Sequence, residues 1–178
     1  YIRMLLIRTI RQSDYSDVSD LIRTSFAKTP NGYRDESELV EKIREDKTYK
    51  KRLEVVAENN NQIVGHGLLS EIKVVNGRQT HVGLCLAPLS VLPSFQKSGV
   101  GTAIINELDN RAIRLGYRFI SVTGWPDYYS KFGYKKASSY HIQPPFPVPD
   151  DVFMIKPLIN GGLDGVSGTV KYLPAFDK

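Results

Sequence analysis

Apolar residues along the chain follow two periods. Over 5–9, 53–57, 63–75 and 82–91 they alternate with polar residues or gather in short runs, which predicts β-strands. After Ser13 the period lengthens: Val18, Leu21, Ile22 and Phe26 fall on one face of a helix capped by Ser13 or Asp14. Asp14 and Asp17 stand in its first turn, where acidic charge complements the helix dipole. A loop with Pro30 and Gly32 leads to Asp35 and Glu38, a capping-box spacing for a shorter helix lined by Leu39, Val40 and Ile43. Asn59-Asn60-Asn61 turns one strand back on the next as an antiparallel hairpin, and Asn76-Gly77 marks the following turn. Pro88 removes a backbone donor inside the 82–91 strand, so that strand is expected to bulge or part from a neighbour.

The clearest helix covers 100–115. Ile104, Ile105, Leu108, Ala112 and Leu115 line one face, Arg111 and Arg114 lie near its end, and Gly116 supplies a stop. A β-rich run at 119–123 follows, giving a strand–helix–strand crossover. A short helix is predicted over 128–132, ending at Gly133. Beyond the prolines 144, 145, 147 and 149, strands are predicted at 152–155 and 170–173. No internal repeat or boundary interrupts this order, so the expectation is one α/β domain over 1–178, built on a mixed (α+β) sheet.

Composition narrows the function. The 178 residues suit a single core, and no apolar run approaches the roughly 20 needed to span a bilayer, so no membrane partner is expected. The 1–7 stretch is too short for the apolar part of a signal peptide, and Met4 is read as a candidate native start. Cys85 is the single cysteine, which excludes an intramolecular disulfide and matches a reducing cytoplasm, the expected location. The net charge of +5 is spread along the chain. Its longest basic run, Lys47-Thr48-Tyr49-Lys50-Lys51-Arg52, reads as a solvated linker, and no nucleic-acid partner is expected. His66, His81, His141 and Cys85 lack metal-ligand spacing, so no metal is expected; Cys85 reads as a small core residue. No nucleophile-elbow Ser-His-Asp pattern occurs.

The most informative segment joins a strand to the best helix. Val91-Leu92-Pro93 ends the strand, and Gln96-Lys97-Ser98-Gly99-Val100-Gly101 leads into the helix. A helix N-terminus carries unpaired N–H groups and partial positive charge, which suits an anion. Gly99 and Gly101 let a phosphate approach the backbone, and Lys97 adds a cation. Ile104 stands where a Rossmann fingerprint needs its third glycine, and the Gly-Lys-Ser/Thr of a Walker A loop is absent. By itself, Gly-x-Gly is equally a strand-to-helix turn.

With the preceding strand, Gln96-x-x-Gly99-x-Gly101 resembles the acetyl-CoA motif of the GCN5-related N-acetyltransferase (GNAT) superfamily. The order strand, two helices, antiparallel strands, helix, strand, helix, strand matches that family over nearly the whole chain. The segments 87–93, 128–134 and 165–172 are similar to a bacterial branch of it. The resemblance implies a mostly antiparallel sheet splayed at the cofactor strand and flanked by helices. It implies acetyl-CoA as cosubstrate, with the backbone of Leu89 and Val91 holding the pantetheine arm and thioester. The N–H groups of Gln96, Lys97, Ser98, Gly99, Val100, Gly101 and Thr102 would surround the pyrophosphate.

Acetyl transfer to an amine needs a neutral amine, oxyanion stabilisation and a proton for the leaving thiolate. Tyr129 stands four residues before Gly133, where similar enzymes commonly place a tyrosine general acid. Tyr128 competes for the role, and both also fit as aromatic packing with Phe132 and Tyr134. The 82–91 strand has no Asp or Glu for a general base, leaving Glu71, Asp127, His81 or water. Trp125 fits either an acceptor-pocket wall or the core. The acceptor is an amine on a small molecule or peptide, its contacts expected from loops 30–37 and 141–150. Pairing of two copies through the C-terminal strands stays open. The alternative is a non-catalytic acyl-CoA sensor or interaction module.

Overall fold

The structure is a computed structural model that describes residues 5–177; Met4, the candidate start, lies outside the described residues. The described residues form strands β1 (Leu5–Thr9), β2 (Glu54–Asn59), β3 (Gln62–Asn76), β4 (Gln79–Val91), β5 (Phe119–Thr123), β6 (Lys135–Lys136), β7 (Ile142–Gln143), β8 (Phe153–Pro157) and β9 (Gly168–Lys171). The helices are α1 (Tyr15–Ala27), α2 (Glu36–Glu45), α3 (Val100–Arg114) and α4 (Pro126–Tyr129). Hydrogen bonding links the strands in the order β1-β2-β3-β4-β5-β8-β6, with β9 joining β3 to β7. The β4–β5 and β7–β9 pairings are parallel. Antiparallel pairings join β1–β2, β2–β3, β3–β9, β5–β8 and β6–β8, as a mostly antiparallel mixed sheet requires. The chain divides into two compact units, residues 1–69 with 87–111 and residues 70–86 with 112–178.

In the first unit, α1 and α2 present the predicted stripes: Val18, Leu21, Ile22, Val40 and Ile43 are buried. Their caps differ from expectation. Asp14 precedes α1, but its carboxylate accepts from the Arg11 backbone N–H and the Arg8 guanidinium. Asp35 takes a left-handed φ of 64° and makes no side-chain cap, while Glu38 accepts from the Tyr33 phenol and Arg23. The predicted capping box therefore does not form, because an aromatic hydroxyl and a guanidinium reach Glu38 first.

The basic 47–52 run is not wholly solvated either. Its Tyr49 phenol donates to Glu54 at 2.6 Å. Glu54 is fully buried and also receives two bonds from Arg44, at 3.0 and 2.6 Å, and one contact from His66 at 2.8 Å. Arg44 stacks 3.8 Å above the Tyr15 ring, so one carboxylate ties α1, α2, β2 and β3 together. Burial alone would raise the Glu54 pKa; the His66 and Arg44 bonds outweigh it and hold the carboxyl at about 2.

In the second unit, Ile72, Val74, Cys85, Phe119, Ile142, Phe153, Ile155 and Val170 belong to one buried apolar cluster. Burial pushes the Cys85 thiol up to about 11, which fits an unreactive core residue. Two elements escaped the hydrophobic pattern, β6 and β7. Each is two residues long, too short to display a period.

Candidate functional site

The site in the first unit is built on the end of β4 and the start of α3. Leu92 N–H donates to the Val64 carbonyl at 2.9 Å. Successive residues of a strand aim their N–H groups at opposite neighbours. The N–H groups of Leu89 and Val91 therefore point away from β3. The ladder on the other side of β4 consists of Leu84↔Ile120 and Cys85↔Ser121 and stops there, three residues before Pro88. This is the parting expected of a strand that carries a proline.

Past Val91 the chain makes a single 3-10 turn at Pro93–Phe95. The Gln96 side-chain amide donates back to the Val91 carbonyl at 3.2 Å, and the Ser98 hydroxyl donates to the Phe95 carbonyl. Lys97 and Gly99 both adopt left-handed backbone, φ 61° and 91°. A side chain on Gly99 would meet nothing within 4 Å, so the glycine serves the dihedral and leaves the loop open. Residues 96–99 are exposed. Ala103 N–H reaches the Gly99 carbonyl at 3.0 Å, so the N–H groups of Val100, Gly101 and Thr102 precede the first helical bond. No acidic residue stands in the first turn of α3 to neutralise its dipole. The loop thus gathers Lys97 and a row of exposed or helix-leading N–H groups, an arrangement suited to a pyrophosphate.

What seats this helix was not visible in its own residues. A Cβ on Gly65 would stand 2.8 Å from side-chain carbons of Val100 and Ile104, and one on Gly67 would stand 2.6 Å from Ile104. Two glycines of β3 thus let the first turns of α3 approach the strand.

In the second unit, the predicted 128–132 helix is α4 over Pro126–Tyr129, then a 3-10 turn over Ser130–Phe132, closed by Gly133 at φ 92°. Pro at the first helical position starts it earlier than apolar spacing implies. Tyr129 is half-buried and packs edge-on against Tyr128 and Tyr134, ring centroids 5.0 and 5.7 Å apart. Its ring fills the place of a Gly124 side chain: a Cβ there would lie 2.4 Å from it. Burial, and then the neighbouring Tyr128, push the Tyr129 phenol well above its ordinary value. The phenol stays protonated at neutral pH, as a proton donor must. Tyr128 packs against Phe132 at 5.3 Å, and burial raises its phenol as well.

The other expected residues separate clearly. Glu71 accepts from the Tyr117 phenol. Asp127 is exposed in the first turn of α4. His81 stands four residues before Cys85 on β4, about 13 Å along an extended strand. Trp125 is 73% exposed, which removes it from the core. Ser121 was not singled out from its pattern. It is 1% exposed, and its hydroxyl has no hydrogen-bond partner among the described residues.

No helix among the described residues is long and apolar enough to cross a membrane. The model of the acetyltransferase (GNAT) domain matches residues 50–136. The uncharacterized N-acetyltransferase YhbS of Escherichia coli strain K12 is 27% identical over 174 residues, 98% of this chain and 99% of that protein. The crystal structure of E. coli YhbS in complex with CoA superposes with a TM-score of 0.87 at 26% identity, covering 100% of this chain and 94% of that one. A GNAT family acetyltransferase from Brucella melitensis, in complex with acetyl-CoA, gives 0.79 at 26% identity over 98% and 99%. Signature loop, strand order and these full-length likenesses agree: the chain is similar over its whole length to GNAT acetyltransferases, and residues 50–136 match that domain.

Proposed function

We propose that this protein binds acetyl-CoA and transfers its acetyl group directly to an amine. The observation that carries the reading is the open backbone of 89–102: outward N–H groups at Leu89 and Val91, then the exposed loop and the start of α3, which has no acidic residue in its first turn. Strand-like pantetheine amides pair naturally with the first, and a pyrophosphate with the second. CoA and acetyl-CoA in the two similar crystal structures support the same cosubstrate here. Gln96, Lys97, Ser98, Gly99, Val100, Gly101 and Thr102 surround the pyrophosphate in this reading.

In the reaction, the amine lone pair attacks the thioester carbonyl carbon and the carbon–sulfur bond breaks. The departing thiolate takes a proton from the Tyr129 phenol, and the amine proton leaves to water. Water is given the second role in this reading; Glu71, whose carboxylate accepts from Tyr117, Asp127 and His81 are the other candidates. Tyr129 takes this role from its place four residues before Gly133, and burial keeps its phenol protonated at neutral pH.

Calorimetric binding of acetyl-CoA and thiol release on a panel of amines test the reading together. Tyr129→Phe keeps the ring against Gly124; it is expected to leave acetyl-CoA affinity unchanged and to lower kcat about 100-fold. Unchanged kcat would remove Tyr129 from the mechanism. Tight acetyl-CoA binding with no thiol release on any amine would instead make the protein an acyl-CoA sensor.

A further inference from the structure

The second unit carries a row of like charge on the sheet face opposite its apolar cluster. The β3–β4 hairpin turns through Gly77-Arg78, which sets Asn76 opposite Gln79 and Lys73 opposite Val82. On the other side of β3, Lys73 is registered directly with Lys171 of β9. Cross-strand partners share a face, so Lys171, Lys73 and Val82 stand side by side on neighbouring strands. The Phe119 ring fills the space above Gly83 on the opposite face, so Arg118 and Val82, each one residue earlier, face this side. All four residues are exposed, Val82 to 44%. The next row holds Thr80, Thr169 and Gln143, exposed and neutral.

Like charges directly opposite one another in a sheet repel. Nothing nearby in the chain offsets this. Segments 79–83, 141–143 and 165–172 contain no Asp or Glu, and Glu71, on the same face of β3, receives the Tyr117 phenol. Among the described residues, Lys73, Lys171 and Arg118 form no ion pair; the Arg118 guanidinium donates to the neutral Gly161 carbonyl at 2.9 Å. The face therefore presents cations around an exposed valine, with hydroxyls and an amide beside them.

Spacing narrows what could lie there. Neighbouring strands are about 4.8 Å apart, so the row from Arg118 to Lys171 spans about 14 Å, with Val82 inside it. An extended chain covers about the same distance from residue i to i+4 and turns i, i+2 and i+4 to one side. Carboxylates at i and i+4 with an apolar residue at i+2 then follow the order Arg118, Val82, lysine pair. Neither row contains an aromatic side chain on which the bases of a single-stranded nucleic acid could stack. A membrane surface calls for larger apolar anchors than one valine.

We infer that this face docks an extended acidic segment of a partner protein, with the pattern acid-x-apolar-x-acid. The inference uses residues of the second unit alone and does not depend on the acetyltransferase reading.

The test titrates the isotope-labelled full chain with the end-blocked peptide Glu-Thr-Val-Thr-Glu and follows its NMR shifts. Shifts are expected at Lys73, Thr80, Val82, Thr169 and Lys171, and binding is expected to weaken at high salt. The peptide Gln-Thr-Val-Thr-Gln is expected to bind about ten-fold more weakly, since each exposed ion pair contributes about a few-fold. Lys171→Glu is expected to move two readouts in opposite directions. Peptide affinity falls about ten-fold, and the urea midpoint rises because a repelling cross-strand pair becomes an attracting one. Equal affinity for the two peptides, shifts confined to other surfaces, or no binding would overturn the inference. So would tighter binding of a short DNA duplex or of phosphatidylserine vesicles, or a Lys171→Glu protein that binds the peptide unchanged. If that variant fails to fold, the two peptides on the unaltered protein decide the question.

Discussion

Two buried polar groups, one in each unit, behave in opposite ways. Glu54 in the first unit is fully buried and meets a guanidinium, a phenol and an imidazole. Ser121 in the second unit is nearly as buried and meets nothing among the described residues. The first pattern is that of a structural tie, because every acceptor position of the carboxylate is used inside the chain and no capacity is left for a ligand. The second retains its hydrogen-bonding capacity. Burial of a polar group therefore does not by itself mark function; what differs between these two is whether the group's hydrogen-bonding capacity is used inside the chain.

The strongest way to break this comparison is to remove the tie. Glu54→Ala leaves the Arg44 guanidinium buried against Tyr15 with no counter-charge and orphans the Tyr49 phenol. Breaking a buried pair from one side costs about 3–5 kcal/mol. Urea unfolding is expected to show that loss, while acetyl-CoA affinity of the folded fraction stays the same. A loss below about 1 kcal/mol, the scale of an exposed pair, would show that Glu54 is not the tie described.

Acid gives a smaller, graded version of the same experiment. The Glu54 carboxyl titrates near 2 when folded and has an ordinary value of 4.5. Its folded value is depressed, so its stabilisation is complete above 4.5 and is lost as pH falls from 4.5 toward 2. The amount is on the order of 3 kcal/mol. Other carboxylates titrate in the same window, so the measurement is the difference between the protein and Glu54→Gln at each pH. The two stability curves are expected to converge toward pH 2, and parallel curves would deny the depressed value.

The chain sequence shows these two regions unequally. Loop 96–101 is legible because its glycines, its cation and the apolar stripe of α3 are adjacent in the chain, so local chemistry states the anion site. The stripe Ile104, Ile105 and Leu108 is buried as its period requires. The partners of Glu54 lie at 44, 49 and 66, and no short-range pattern links a strand carboxylate to them. The Asp35–Glu38 spacing misleads for the same reason, since Tyr33 and Arg23 compete for Glu38 only in three dimensions. Gly65 and Gly67 read as ordinary strand glycines until Ile104 is packed over them. For Ser121 the alternation in β5 shows which way the side chain faces. That it finds no partner depends on its neighbours across the sheet, Cys85 and Ile155, which chain order does not bring together.

The smallest effect sharpens the comparison most, because it contrasts two serines. Ser37 is 3% exposed and shares a 2.7 Å hydrogen bond with Ser19; Ser121 is 1% exposed and shares none. Alanine removes one oxygen from each, with nearly equal change in volume. At Ser37 it breaks a pair and leaves the Ser19 hydroxyl to find another partner, for a loss of about 1 kcal/mol. At Ser121 no bond is lost, and the penalty of burying a bare hydroxyl disappears. Stability without ligand is expected to hold or rise by about 0.5–1 kcal/mol. Thermal and urea unfolding of the two variants measure both signs. If Ser121→Ala destabilises as much as Ser37→Ala, the Ser121 hydroxyl has a partner within the fold. If it stabilises, the hydroxyl is carried at a cost to the fold, as a buried group without a bond must be.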